Sequence, residues 1–279
     1  KHDHLCHYHI SDEPKISLTM IIIFATTAIA LYFYAATKAS QASKNDPQYL
    51  LDGGVIGIGA VAIVCHGITL HQIIVTEHGL NLGVFAAASL VGWIVSLLSG
   101  LIATRKPVAS LATVVLPATA VMLILPIVFS SQNFVPNSVG IAFHIGISLV
   151  AYSLFALAAL QALFLSFARI RLKNHTPVLG FFPPLAIMEI MLFQITGVAF
   201  VLLTIGLATG VVYIENISDQ NLAHKIVFTV LAWITFAALL IGRYYRNWRG
   251  TSAINSVAIG FVMLAFGFFG TKIVLELIL

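Results

Sequence analysis

Runs of roughly 20 apolar residues recur along this chain of 279 residues and are separated by short polar breaks. A helix of about 20 such residues is needed to cross a hydrocarbon core about 30 Å thick. Only 9% of the residues are charged, too few to coat a water-soluble globule of this size. We count eight candidate spans, at roughly 17–37, 53–76, 84–104, 107–130, 139–168, 193–214, 225–244 and 252–278. The sequence therefore predicts an all-α, polytopic membrane helix bundle with about eight transmembrane helices.

Lysine and arginine are distributed unevenly among the connections between these spans. If the N-terminus lies outside, the inner side receives ten cations, which are Lys38, Lys44, Arg105, Lys106, Arg169, Arg171, Lys173, Arg243, Arg246 and Arg249. The outer side then receives four, which are Lys1, Lys15, Lys225 and Lys272. Because cytoplasmic loops carry the excess of Lys and Arg, the pattern predicts that both termini lie outside.

We expect a short tail followed by one bundle. Residues 1–16 form a polar tail whose four histidines and one cysteine are of the type that binds soft or borderline metals. A processed or engineered terminus, or a loosely ordered lead-in, is the simpler interpretation, so the tail carries no functional prediction. Residues 17–279 form a single transmembrane bundle. Within it, a Pro–Pro pair and the lone Glu189 amid aromatics predict an interfacial or re-entrant helix near 176–192, on the inner side.

Several classes of function find no support in the sequence. There is no GxSxG, HExxH or phosphate-loop motif, and the ten acids are scattered among loops rather than paired. The inner-loop cations face lipid headgroups and no nucleic-acid motif accompanies them, so membrane lipid is an expected partner and nucleic acid is not. Cys6 and Cys65 have neither CxxC nor metal-finger spacing, so no disulfide or thiol redox pair is expected.

Nine of the ten histidines lie on the predicted outer side, and among them His66 and His144 sit inside apolar segments that should span the membrane. At 1.5 Å per residue, His66 is about 15 Å below the outer surface, whereas His144 is less than about 10 Å below it. A polar group at mid-membrane needs a partner, and either a ligand or a hydrogen bond to a neighbouring helix would satisfy His66. For His144, ligation and a helix-start imidazole bonded to a carbonyl are both open.

The other outer histidines that follow the tail are better explained as hydrated residues at the membrane interface. They are His71, His78 and His224. His71 is rotated about 140° from His66 on a straight helix, so both cannot point at one centre.

Five stretches carry a resemblance to a known family. They are CHGITL (65–70), NLGVFAAASLVGWI (81–94), HIGISLVAYSLFALAALQALF (144–164), FQITGVAFVLLTIGLATGVVY (193–213) and LAWITFAALLIGRYYRNWRG (231–250). In this order they resemble the cytochrome c assembly protein family, and within it the short, stand-alone YpjD-type inner-membrane branch. The resemblance covers about 65–279. It implies a multi-pass protein of the bacterial inner membrane that holds heme between histidines and presents it to an apocytochrome c.

The resemblance also implies site residues and departures from the family pattern. His144 begins the HIGISL-type helix, where the family has an outer-face heme ligand, and His66 matches an intramembrane ligand. Arg243 stands where the family usually has a histidine before the WRG turn, and Gln194 stands where some relatives have one. The tryptophan-rich WWD segment that holds the porphyrin is absent, because IENISDQNLAHK separates spans six and seven. This absence argues against heme lyase activity.

A heme site would need axial imidazoles, an apolar slot for the macrocycle and cations for the propionates. We expect His66 and His144 to supply the metal ligands, and Trp93, Phe143 and Tyr152, with the small-residue face of span six, to line the slot. Lys272 would face a propionate. The predicted function is a membrane protein that binds or handles heme, with an apocytochrome or a larger membrane complex as partner. The alternatives are a non-catalytic scaffold or partner subunit that keeps this fold, and a small-ligand transporter.

Overall fold

A computed structural model describes residues 15–45, 51–76, 79–106, 109–129, 133–135, 138–174, 182–213 and 220–270. Its helices are α1 (Lys15–Asn45), α2 (Gly53–Ile74), α3 (Val84–Ala103), α4 (Ala109–Val128), α5 (Val139–Lys173), α6 (Leu185–Tyr213), α7 (Gln220–Arg246) and α8 (Thr251–Ala265). A π-helical turn, Phe266–Gly270, extends α8. The described part of the chain thus contains eight helices that are long and apolar enough to cross a membrane. The predicted all-α polytopic bundle is confirmed.

The start of α6 differs from the sequence prediction. Residues 185–192, the second half of the segment expected to form a separate interfacial helix, are continuous with the sixth span. Pro183 and Pro184 directly precede this helix, because proline lacks an N–H and is tolerated at a helix start but not in its interior. Residues 175–181 lie outside the described residues, as do residues 1–14 of the predicted tail, His78 and Lys272.

Small side chains bring the helices close together. The most extensive pairing joins α5 to α6, and α1 packs on α2 and α4, while α3 contacts α2, α4 and α5. Alanines at these contacts are fully buried, among them Ala28, Ala35, Ala158, Ala162 and Ala168. In a bilayer, helices associate through close backbone approach rather than through a hydrophobic effect, so small residues are favoured at their interfaces.

The distribution of polarity is the reverse of that in a soluble domain. Large apolar side chains such as Val64, Leu101 and Val201 are exposed, as expected for surfaces that face lipid. Polar residues are instead enclosed between helices, among them His66, Ser89 and Thr196. Buried polar side chains inside a membrane bundle are the first place to look for function.

Three short antiparallel strands lie among the described residues at one end of the bundle, the predicted outer end. Strands β1 (Val75–Thr76) and β2 (Gly79–Asn81) form a hairpin between α2 and α3, and β3 (Phe134–Val135) pairs with β2. The Asn81 side-chain oxygen accepts hydrogen bonds from the backbone N–H groups of Gly83 and Asn133. These bonds join the α2–α3 connection to the α4–α5 connection. The sequence predicted no strand here, since two or three residues are too few to show an alternating pattern.

Candidate functional site

His66 lies at a junction of three helices. Its imidazole is fully buried, with Nδ1 3.3 Å from the Tyr32 hydroxyl on α1 and Nε2 3.1 Å from Ser89 Oγ on α3. The Tyr32 ring meets the imidazole edge-on, with ring centroids 5.9 Å apart. The partner that a mid-membrane imidazole requires is therefore present, and it takes the form of hydrogen bonds between helices.

The hydroxyls around His66 fix the direction of these hydrogen bonds. Ser96 donates its one proton to the Trp93 carbonyl at 2.8 Å, so its oxygen accepts from the Tyr32 hydroxyl at 3.2 Å. Tyr32 must then accept from Nδ1–H of His66, and the lone pair on Nε2 accepts from Ser89. We call Ser89, His66, Tyr32 and Ser96 the His66 network. Neither imidazole nitrogen can bind a metal unless this network gives up a hydrogen bond.

His144 has a different environment near the outer end of α5, where it is half-buried. Its Nδ1 lies 3.1 Å from Thr209 Oγ1 on α6, and Thr209 donates to the Gly206 carbonyl at 3.0 Å. Because the threonine proton is used, its oxygen accepts from Nδ1–H, and the lone pair of the neutral imidazole is on Nε2. Among the described residues, Nε2 has no side-chain hydrogen-bond partner. This tautomer, with Nδ1–H held by an oxygen, is the usual state of a metal-binding histidine.

The small residues of α6 receive α5 rather than leaving an open slot. A Cβ at Gly210 would lie 3.0 Å from His144 Cε1, and a Cβ at Gly206 would lie 3.2 Å from Ser148 Oγ. The expectation that this face of span six lines a slot for a flat ligand is therefore wrong at these two positions. Gly210 instead lets the imidazole lie directly against α6.

The remaining predicted site residues do not gather around one centre. Trp93 donates from Nε1 to the Ile63 carbonyl at 2.8 Å, on α2. Phe143 is 54% exposed on α5, whereas the Tyr152 ring contacts Phe268 with centroids 5.0 Å apart. Among the residues that the structure describes, no group of three or more His, Cys, Asp or Glu side chains could hold a metal ion.

Trp93 faces an apolar groove with a different histidine. The α2–α3 groove has a volume of about 420 Å³ and is lined by Val64, Gly67, Ile68, His71 and Trp93. His71 is exposed while His66 is buried, as the predicted rotation between them requires. The sequence held a signal that Gly67 and His71 line one surface of α2, because they are four residues apart and share a helix face.

An ion-pair cluster at the opposite, predicted inner end was also missed. Glu189 Oε1 lies 3.5 Å from Arg243 Nη1 and 4.0 Å from Arg249 Nε. The Arg243 guanidinium also lies over the Phe193 ring, 4.5 Å from its centroid. The sequence analysis did not connect Glu189 with an arginine, although its position as a lone acid in an apolar stretch was the available signal.

The chain is similar in sequence to known proteins over different shares of its length. The YpjD inner membrane protein of Escherichia coli is 33% identical over 231 residues, which cover 78% of this chain and 85% of that protein. A 28.8 kDa protein of Azospirillum brasilense is 31% identical over 140 residues, 49% of this chain and 52% of that protein. The cytochrome c biogenesis protein CcsA of Agrostis stolonifera is 30% identical over 83 residues, 29% of this chain and 26% of that protein. No solved structure matches the chain significantly.

A family profile covers most of the bundle. The profile described as cytochrome C assembly protein matches residues 56–279, so it includes His66 and His144 but leaves out α1 and its Tyr32. With eight candidate spans and relatives named as inner membrane proteins, the chain is a multi-pass protein of the bacterial inner membrane. It belongs to the cytochrome c assembly protein family.

Proposed function

We propose that this protein binds heme near the outer end of the bundle, with Nε2 of His144 as an axial ligand. The observation that carries the proposal is the hydrogen bond from Thr209 to the Gly206 carbonyl. It makes Thr209 an acceptor for Nδ1–H of His144, and so leaves the lone pair on Nε2. Heme, when bound, supplies an iron whose axial position an imidazole nitrogen can fill.

The two histidines expected as ligands fit this role unequally. The half-buried His144 offers a nitrogen without a side-chain partner among the described residues, whereas both nitrogens of His66 are hydrogen-bonded and enclosed. Of the expected slot residues, Phe143 adjoins His144 in sequence and is exposed enough to contact a macrocycle. Trp93 and Tyr152 pack elsewhere, so the proposal does not use them.

Membership of the family supports a role in cytochrome c assembly, and the role proposed for this chain is to position heme rather than to catalyse its attachment. The chain shares its family profile with assembly proteins, and CcsA is named as a cytochrome c biogenesis protein. The connection between α6 and α7 contains no tryptophan, so it lacks the aromatic platform that a heme-transferring segment would use. An apocytochrome, or a larger membrane complex that contains one, is the proposed partner.

Titration of the purified protein with hemin, followed by the Soret absorbance, tests the proposal. We expect the unmodified chain and His71→Ala to bind hemin, and His144→Ala to lose at least tenfold in affinity, as expected when a ligand is removed. His71 is a matched control, since it is another histidine near the predicted outer end. A colourless protein that takes up no hemin, or equal binding by His144→Ala, would contradict the proposal. Loss in His71→Ala alone would move the site to the α2–α3 groove.

A second candidate function is a scaffold or partner subunit that keeps the fold without binding heme. The observation that favours it is the His66 network, in which a histidine of the family region serves to join three helices. A scaffold would co-purify with the same larger complex whether or not His144 is replaced by Ala. Loss of that complex together with loss of the Soret band in His144→Ala would exclude it.

A further inference from the structure

Four arginines lie toward the predicted inner ends of α5 and α7 and in the turn into α8. We call Arg169, Arg243, Arg246 and Arg249 the arginine cluster. Glu189 is the acid in contact with them among the described residues, and it is shared between Arg243 and Arg249. A single carboxylate neutralises one positive charge, so the cluster keeps a surplus.

Gly250 brings Arg169 to the start of α8. Gly250 is the N-cap of that helix, has φ +60° and ψ −120°, and makes no side-chain cap hydrogen bond. A Cβ at this position would overlap the Arg169 guanidinium, so only glycine allows both the backbone conformation and the contact.

This placement is electrostatically unbalanced. The first turn of a helix carries a partial positive charge and favours anions, whereas Arg169 places a cation there. Neither Arg169 nor Arg246 forms an ion pair with any acid in the part of the chain that the structure describes. The neighbouring undescribed segment 175–181, HTPVLGF, contains no acid in its sequence. Among the described residues, no acid balances the charges of Arg169 and Arg246, and an anion from outside the chain would supply the missing counter-charge.

The surroundings indicate which anion this is. Tyr244 and Tyr245 are 81% and 77% exposed, and Ile170 and Ile241 are also exposed, as in a layer between lipid tails and headgroups. The anions concentrated at this depth are phospholipid phosphates, whose acyl chains would cover the exposed isoleucines. Guanidinium groups match phosphate geometry with two parallel hydrogen bonds, which distinguishes arginine from lysine here.

We propose that Arg169 and Arg249, beside the first turn of α8, bind the phosphate of an anionic phospholipid headgroup. Arg246 adds to the local positive potential, and Glu189 limits it by holding Arg243. The site is independent of heme, because it lies at the opposite end of the bundle from His144.

Native mass spectrometry of the full chain in detergent, titrated with phosphatidylglycerol or phosphatidylcholine, measures this binding. We expect phosphatidylglycerol to bind more tightly than phosphatidylcholine, and Arg169→Gln to weaken the phosphatidylglycerol adduct about fivefold, the usual contribution of one interfacial cation. Arg105→Gln is the matched control, since it removes the same charge from the α3–α4 connection. Equal losses in both variants would mean only general attraction to the charged surface and would overturn the proposal.

Two further measurements distinguish specific lipid binding from misfolding and from binding of a free anion. Glu189→Gln leaves Arg243 and Arg249 without their carboxylate and is expected to strengthen phosphatidylglycerol binding about fivefold, a gain that misfolding cannot produce. Inorganic phosphate at concentrations matching the lipid is expected to compete weakly. Full displacement by phosphate would assign the arginine cluster to a free anion and would overturn the lipid assignment.

Discussion

His66 and His144 occupy two contrasting environments in the same bundle. His66 is enclosed by α1 and α3 and uses both ring nitrogens, while His144 is half-buried between α5 and α6 and uses Nδ1. In both cases a hydroxyl oxygen accepts the Nδ1 proton because the hydroxyl's own proton is already donated elsewhere. Thr209 donates to the Gly206 carbonyl, and Tyr32 donates to Ser96, which in turn donates to the Trp93 carbonyl. The difference lies at Nε2, which meets the Ser89 hydroxyl in one case and no side chain of the described residues in the other.

This comparison shows that depth alone does not identify a ligand. A histidine at mid-membrane must have a partner, and in this chain three helices supply one from serine and tyrosine hydroxyls. A histidine nearer the surface can keep one nitrogen without a side-chain partner, because water and headgroups lower the cost of leaving it so. We therefore propose that His66 stabilises the helix bundle and that His144 binds the ligand. Variants of each histidine test these two roles separately.

The largest expected effect is on stability, from His66→Ala. The change removes two buried hydrogen bonds, leaves Tyr32 and Ser89 without their common partner and opens a cavity. We expect the free energy of unfolding to fall by about 2–4 kcal/mol. Reversible unfolding in mixed micelles, monitored by circular dichroism, measures it. His71→Ala is the control, since His71 is exposed on the same helix. A loss below about 1 kcal/mol would mean that His66 does not hold the helices together.

Thr209→Val is expected to weaken hemin binding by His144 about tenfold. Valine keeps the shape of threonine but accepts no hydrogen bond, so Nδ1–H loses the oxygen that orients the imidazole, a change that typically lowers metal affinity about 10- to 100-fold. Thr204→Val on the same helix is the control, because Thr204 accepts from Trp233 Nε1 at 2.9 Å and does not contact His144. If both variants bind hemin like the unmodified chain, the proposed orientation of His144 is not what prepares its Nε2.

The sequence predicted the helices well because each span is a local property of about 20 consecutive residues. It also required a partner for His66 without identifying it, since Tyr32 lies 34 positions away on a helix with no distinguishing local pattern. The Glu189–Arg243 pair, 54 positions apart, was missed for the same reason. Helical phase was also hard to predict. Trp93 on α3 lines a groove with His71 of α2, and a rotation of one residue, about 100°, decides whether His66 or His71 faces that groove.

Tyr32→Phe tests whether α1 is part of the His66 network. Removing the hydroxyl deprives His66 Nδ1–H of its acceptor and Ser96 of its donor, while the ring stays in place, so we expect a loss of about 1 kcal/mol in the free energy of unfolding. Tyr34→Phe is the control, since Tyr34 is 49% exposed on the same helix. Because α1 lies outside the family match, equal stability of the two variants would mean that the relatives' region holds His66 through Ser89 alone.

The smallest expected effect is that of His144→Ala on stability. This variant removes one half-buried hydrogen bond to Thr209, and interhelical hydrogen bonds in membrane proteins contribute about 0.6 kcal/mol on average. The same variant is expected to lose hemin binding, so His144→Ala should lower the affinity for hemin with little effect on stability. His66→Ala should do the opposite: it should lower stability, and the folded fraction should still bind hemin. Unfolding curves recorded with and without hemin for both variants make this comparison directly. If His144→Ala destabilises the apo chain as strongly as His66→Ala does, the two histidines both act as helix connectors. The absence of a side-chain partner at Nε2 of His144 would then have no special meaning.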